Sequence, residues 1–239
     1  MSEEMDILDH MIESIQSGTY EPDDKLPSEN EFAERFKVPR MTVRKAYLRL
    51  QELGYAYSMQ GKGNFVKDRH QRIPLALSSR ESFSRKMKDL GFDYESRNLF
   101  CDQIETNNKI YEALGAEEGG RVFRVGRLRL IDKQPIALHI SYVSESLFPD
   151  IGTVGREITS MYEFYESRGY HTFRYTQSLL SVTFPSKYER ELFACAGVNP
   201  LLVLESEHID DVSGNTLEYS KIMYREIFSP MSYEGVGAA

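Results

Sequence analysis

The chain has 239 residues and a mass of 27.6 kDa, enough for two modest domains with their own cores, and its 41% hydrophobic and 28% charged residues are ordinary for a globular protein. No apolar run approaches the roughly 18 residues of a membrane span. The acidic start MSEEMDILDH is unlike a secretory leader, and Cys101 and Cys195 lack metal or CxxC spacing, so the expectation is a cytoplasmic chain with free thiols and no metal or cofactor. A net charge of −8 excludes a protein that coats nucleic acid indiscriminately. Its distribution is uneven: residues 35–70 hold nine Lys or Arg against two acids, while residues 1–34 hold eleven acids against Lys25.

In chain order, a first helix is expected from about Met5 to Gln16, with Ile7, Leu8, Met11, Ile12 and Ile15 on one face and Gly18 ending it. Ser28 followed by Glu31 is a capping box that starts a second helix at Ser28. Phe32, Ala33 and Phe36 are its apolar face, and Lys37-Val38-Pro39 stops it, because the residue before proline is pushed out of the helical region. Pro39 then suits the first turn of a third helix. There Val43, Ala46, Tyr47, Leu50 and Leu53 form one stripe, with Arg40, Arg44, Lys45 and Arg49 outside it. Short β-like runs at Tyr55–Ser58 and Asn64–Val66 flank Gln60-Gly61-Lys62-Gly63, where the glycines permit a tight turn and Lys62 can reach a phosphate or minor groove. Alone, each part is an ordinary solvated helix face or turn. Cap, spacing and wing together read as a winged helix-turn-helix that binds double-stranded DNA.

At these residues the chain resembles the N-terminal domain of the GntR family of bacterial regulators. The resemblance is carried by Lys25-Leu26-Pro27-Ser28-Glu29, Val38, Arg40, Thr42-Val43-Arg44, Ala46, Gly61-Lys62-Gly63 and Phe65-Val66. It implies that Arg40, Thr42 and Arg44 face the major groove, with Lys45 on the same basic helix, and that the tip Gly61-Lys62-Gly63 enters the minor groove. Pro39 stands where that family commonly has a capping Ser or Thr, Asn30 where many members have Arg, and Asp24 where Gly is usual. Operator preference therefore does not carry over.

Residues 68–80 show no period and have polar ends, which places a linker at 69–80 between a DNA-binding domain (1–68) and a second domain (81–239). The second domain opens with Ser82-Phe83-Ser84 and a helix through Leu90, broken by Gly91. A helix from Asn108 to Leu114 leads to a hairpin, 121–132 with 135–143. A helix from Ser186 to Cys195 leads past Gly197 to another, 200–210 with 215–228, turning at Ser213-Gly214-Asn215. Between them lie a helix, Thr159 to Arg168, and a strand, Phe173 to Phe184. Two helix-plus-hairpin units suggest a duplicated half joined into one antiparallel sheet, of class α+β.

Arg127 and Arg129 alternate with Leu128 and Leu130, so both guanidiniums leave one sheet face. A three-residue loop, Asp132 to Gln134, would pair Arg129 with Ala137 and Arg127 with His139, whereas a two-residue loop would mix polar and apolar sets. The longer loop is expected, making a pocket for an anion. An exposed edge whose arginines pair with acids is the competing reading of this spacing.

From about Ile73 to Phe228 the chain also resembles the UTRA effector domain of the HutC subfamily, a fold similar to chorismate lyase. The matching residues are Ser82-Phe83, Gly91, Arg127-Leu128-Arg129, Asp132, Pro135-Ile136-Ala137, Ser160-Met161-Tyr162, Leu217-Glu218-Tyr219 and Tyr224. This resemblance implies an effector site formed by Ser82 and Phe83 amides, Arg127, Arg129, Ser160, Glu218 and Tyr224. His139 stands where sugar-phosphate-sensing members often have Glu, which favours a more anionic or differently hydroxylated ligand. The expected function is a homodimeric regulator, a repressor released by a small anionic metabolite. The alternatives are a chorismate-lyase-like enzyme, for which the scattered histidines supply no nucleophile and base, and a ligand-independent architectural DNA-binding protein.

Overall fold

The computed structural model describes residues 2–68, 82–117, 119–195 and 199–225, the side chains of 176 and 177 apart. The expected linker at 69–80, Gly197 and the expected strand end at 226–228 lie outside the described residues. These residues form two compact units, a smaller one of residues 2–68 with Cys195 and Asn199, and a larger one within residues 82–194 and 200–225. None of the described helices is long and apolar enough to cross a membrane.

In the N-terminal unit, helix α1 (Glu3–Gln16) starts two residues earlier than expected. Ser2 caps it, its Oγ accepting the Met5 amide, and Glu3, Glu4 and Asp6 favour the positive end of the helix dipole. Helix α2 (Glu29–Phe36) carries the expected capping box: Ser28 Oγ accepts the Glu31 amide at 3.2 Å and the Glu31 carboxylate accepts the Ser28 amide at 2.6 Å. Lys37, at φ 56°, turns the chain out of it. Helix α3 (Arg40–Glu52) corrects one expectation. Pro39 is its N-cap and not part of its first turn, because ψ 140° keeps it extended while its carbonyl accepts the Thr42 amide at 2.9 Å. Ile7, Met11, Val43, Ala46 and Leu50 are fully buried together with Phe32 and Tyr47, and each large apolar side chain removed from water contributes about 1.5–3 kcal/mol. Strands β1 (Ala56–Met59) and β2 (Gly63–Val66) pair Met59 with Gly63, leaving Gln60-Gly61-Lys62 as the tip. Gly61, at φ 74°, occupies a conformation that a side chain would strain.

The second unit runs α4 (Phe83–Asp89), β3 (Tyr94–Gln103), α5 (Asn108–Leu114), β4 (Val122–Ile131), β5 (Gln134–Ser144), α6 (Ile151–Val154), α7 (Met161–Ser167), β6 (Phe173–Thr183), α8 (Lys187–Leu192), β7 (Leu201–Asp210) and β8 (Thr216–Arg225). Strands β3 and β6 to β8 join β4 and β5 in one antiparallel sheet of order β3-β4-β5-β8-β7-β6. The duplication is therefore strand-helix-hairpin, one strand more than the sequence suggested. The two copies meet at β5 and β8, where Ser141 pairs with Ser220 and His139 with Ile222, and Ile140 with Lys221 marks the axis relating them.

Each hairpin is bulged one or two residues past its turn. In the first, the turn has two residues, Asp132 and Lys133, both at positive φ, and Ile131 pairs with Gln134. This corrects the expected three-residue loop. The positive φ pair matches the twist of the strands, and a bulge at Ile136 restores the pairing of Arg129 with Ala137 and of Arg127 with His139. In the second, a bulge at Leu217 separates the Ile209–Thr216 pair from His208–Glu218. One sheet face packs against α6 and α7 through Val125, Val143, Ile151, Phe164 and Tyr165, and the other takes α5 through Ile110, Leu114, Val122 and Tyr219. Phe100 lies over Gly126, where any Cβ would come within 2.2 Å of the ring.

The two outer strands differ. On β3, Glu95 and Arg97 pair at 2.6 Å and Asp102 meets Arg124 and Arg156. On β6, Leu179, Leu180 and Val182 are 55%, 44% and 67% exposed.

Candidate DNA interface and buried anion site

Helix α3 turns its stripe inward and leaves Arg40, Arg44 and Lys45 exposed, with Thr42 half-buried. Arg40 has a partner that its position in the sequence did not suggest: its Nε donates to Glu29 Oε2 at 2.7 Å. With Arg40 64% exposed, such a pair is worth about 0–1 kcal/mol and exchanges readily for a phosphate. Met41 and Leu48 also project from the outer side, 59% and 51% exposed, as their place outside the stripe would have indicated. The wing is held to the helix by Gln51 Nε2 donating to Asn64 Oδ1 at 2.8 Å. It is held to the segment before α2 by the Leu26 amide on Asn64 O and the Val66 amide on Asp24 O, both 2.9 Å. Gly61, Lys62 and Gly63 form its exposed tip.

The second cluster lies on the α7 side of the sheet. Arg127 and Arg129 are each only 3% exposed, which removes the competing reading of an exposed, acid-paired edge. Arg129 Nη1 donates to Tyr94 OH and Ser96 Oγ, both at 2.6 Å, and to Thr159 O at 2.9 Å. Its guanidinium lies 5.9 Å from the centre of the Phe83 ring. Arg127 Nη2 donates to Ser141 Oγ, which donates on to Glu218 Oε1, and Tyr165 OH donates to Glu218 Oε2 at 2.8 Å. His139 packs edge-on against Phe83 and Tyr224, with ring centres 5.2 and 6.2 Å apart. Ser82 and Ser160 begin α4 and α7, their hydroxyls accepting the Arg85 and Glu163 amides.

The structure thus joins Phe83, Arg129, His139 and Tyr224 by ring contacts and Arg127 to Glu218 through one hydroxyl, with Arg127 paired across the sheet to His139. Tyr94, Ser96, Ser141 and Tyr165 belong to the same cluster and were not singled out from the sequence. Ser141 could have been, since it alternates with His139 on β5. A separate open cleft, lined by Glu112, Gly115, Ser146 and Asn215 among others, takes no part in this cluster.

Glu218 is the carboxylate whose charge acts on both arginines. Two cations against one anion leave an excess of positive charge in a dry place, where a charge is costly unless paired. Burial, reinforced by Arg129, pulls Arg127 down to about 10, and burial lowers Arg129 as well; both remain charged at neutral pH. Burial, then Arg129 and Arg127, hold His139 well below the ordinary histidine range, so its imidazole is neutral. Arg127 Nε, Arg129 Nε and His139 Nε2 are buried without a hydrogen-bond partner. Orphaned donors in native interiors are uncommon, and here they belong to one cluster.

Residues 89–226 match the UTRA domain, and residues 5–66 match the bacterial regulatory proteins of the gntR family. The uncharacterized HTH-type transcriptional regulator YurK of Bacillus subtilis is 31% identical over 77% of this chain and 76% of its own. The transcriptional repressor NagR of B. subtilis is 26% identical over 92% and 88%. The mannosyl-D-glycerate transport/metabolism system repressor MngR of Escherichia coli is 29% identical over 90% and 88%. Among solved structures, PhnF from Mycobacterium smegmatis shares the fold with a TM-score of 0.60, covering 97% of this chain and 98% of its own at 21% identity. The chain belongs to the GntR family of bacterial regulators, in the HutC-type group that carries a UTRA domain, and is a DNA-binding transcription regulator and not an enzyme.

Proposed function

We propose that the chain is a cytoplasmic, homodimeric repressor whose hold on operator DNA is released by a small anionic metabolite, a phosphate or carboxylate compound. Residues 1–68 read DNA through Arg40, Thr42, Arg44, Lys45 and the tip Gly61-Lys62-Gly63. Residues 81–239 bind effector and dimerise, and 69–80 link the two. The observation that carries the effector reading is the pair of buried guanidiniums with one shared carboxylate and an orphaned Nε on each. Arg129 is the principal anion contact, because Nη1 is anchored while Nε is free to donate. Phe83, His139 and Tyr224 wall the pocket, Ser82 and Ser160 stand at its helix starts, and Glu218 supplies the counter-charge.

NagR and MngR are named as repressors, which supports this sign of regulation. For the dimer, the support is the apolar outer strand β6: an uncovered edge of this kind invites pairing with another chain, while charged β3 discourages it. Two heads held by such a dimer meet half-sites about 34 Å apart or a multiple of that. Effector releases DNA only by binding the two arrangements unequally, so operator must weaken effector binding by the same factor.

The test is Arg129→Ala. The variant should stay dimeric and bind operator normally in mobility-shift assays, yet fail to release it with an effector that releases wild type. Loss of a hydrogen bond to a charged group predicts about 1.5–3 kcal/mol weaker effector binding. Normal release by the variant would refute the site.

A further inference from the structure

His208 belongs to no role described so far. It is 5% exposed, its ring packs edge-on against Tyr175 at 4.4 Å between centres, and both ring nitrogens are buried without a hydrogen-bond partner. Nδ1 lies 3.4 Å from Glu218 Oε2 without making a hydrogen bond to it, and that oxygen already accepts from Tyr165. A side chain that only filled this space would be an apolar ring, which leaves no polar atoms unpaired.

The duplication gives its position meaning. Aligning the two hairpins on their bulges, at Ile136 and Leu217, places His208 where the other copy has Arg129, because Arg129 pairs across the sheet with Ala137 and His208 with Glu218. The same alignment makes His139 the equivalent of Ser220 and Ser141 that of Ile222, and the β5–β8 register obeys it: Ser141–Ser220 is the partner pair of His139–Ile222. Arg129 and His208 are thus equivalent residues of two halves, facing the same side of the sheet. The hydroxyl relay from Arg127 through Ser141 to Glu218 crosses the same face, starting two residues from Arg129 on β4 and ending at Glu218, which pairs across the sheet with His208. Burial, opposed by Glu218, lowers the affinity of the His208 ring for a proton, and a neutral ring offers one donor and one acceptor.

We infer that His208 contacts the effector at the end of the pocket away from Arg129, pairing an uncharged hydroxyl through its unpaired ring nitrogens. This rests on the anion reading of the previous section and extends it to the far end of the ligand. Glu218 lies between the two ends, with its charge committed to Arg127 through Ser141, so the distal group is expected to be neutral and not cationic.

The test uses full-length protein and two pairs of probes matched in charge and chain length. One pair is hexyl phosphate and sorbitol 6-phosphate; the other is hexanoate and gluconate. Calorimetry on wild type should show the hydroxylated member of at least one pair binding about tenfold tighter or more, as expected when hydroxyls satisfy buried polar groups. His208→Phe, which keeps a ring and removes the nitrogens, should reduce that gap to about twofold while leaving the alkyl member unchanged. His208→Asn, which keeps one donor and one acceptor, should retain part of it. Equal binding of both members by wild type, or a gap that survives His208→Phe, would overturn the inference and leave the anion site standing. Weakening of the alkyl member by His208→Phe would also overturn it, because that is a packing role. If none of the four probes binds wild type, the anion reading falls and this inference with it.

Discussion

Replacing Glu218 with Gln preserves its shape and deletes its charge, which isolates what the carboxylate does for the arginines. One hydroxyl, Ser141 Oγ, separates it from Arg127. Two hydrogen bonds in series span roughly 5 Å. At an effective dielectric of 20, unit charges that far apart attract by about 3 kcal/mol. The bond from Tyr165 OH, now to a neutral acceptor, loses about 1 kcal/mol more. The sum of about 4 kcal/mol falls within the 3–5 kcal/mol typical of removing one partner of a buried pair. For a domain of this size it corresponds to a melting temperature lower by about 8–16 °C. Scanning calorimetry of the full chain measures the shift, and repeating it in phosphate adds a second readout. The excess charge rises from one to two, so phosphate should stabilise the variant more than wild type. A melting point within 2 °C of wild type in buffer, or equal stabilisation by phosphate, would refute this account of the charges.

Arg44→Ala should weaken operator binding by about 1–3 kcal/mol and relax discrimination at one position of each half-site, whereas Lys62→Ala should weaken all sequences alike and flatten the salt dependence, both read by mobility shift. Stability should fall in mild acid. His139, facing Arg127, Arg129, Phe83 and Tyr224, and His208, facing Glu218, Arg127, Tyr162 and Tyr175, are both held below their ordinary value. The unfolded chain therefore takes up protons first as pH drops through about 6.5. The stability of the neutral rings is complete above that pH and is lost below it, at up to about 1.4 kcal/mol per pH unit for each ring. Denaturant melts from pH 7 to 5 should show this slope shrinking in a His139→Gln/His208→Phe double variant. Val182→Lys, on the exposed face of β6, should shift the protein toward monomer in sedimentation, with the fold intact by circular dichroism.

The N-terminal unit was legible almost throughout, because its signals are local: a Ser and Glu three apart, a proline, an apolar stripe and a glycine-flanked lysine each act within a turn or two. In the second unit Arg127 and Arg129 could be assigned to one face from alternation alone. Strand β3 was missed for a reason connected with the site. Its inward residues Tyr94, Ser96 and Asn98 are polar, with Tyr94 and Ser96 accepting from Arg129 and Asn98 Nδ2 donating to Gly155 O and Ile158 O. The apolar alternation that announces a strand is therefore absent where the strand lines the pocket. His208 lay hidden differently. Ser206, His208 and Asp210 alternate with Glu207 and Ile209, but a polar set on a strand ordinarily faces water, and His208 is covered by Tyr162 of α7 and Tyr175 of β6, which are distant in the chain. The two-residue turn at Asp132 was misjudged because a bulge is a compensation between strands and has no local marker.

Arg129 is anchored on one nitrogen by two hydroxyls and a carbonyl, so it is ordered before any ligand arrives. A free arginine would surrender about 0.5–1.5 kcal/mol of rotamer freedom on binding, and here that cost is met during folding. The same rigidity limits tolerance. A fork that cannot swing does not follow an anion of different size or approach, so selectivity at this end comes from shape and not from adaptation. Because the anchoring groups lie on β3 and at the entrance to α7, displacement of Arg129 by an ill-fitting ligand would strain both of these stretches along with its own strand β4.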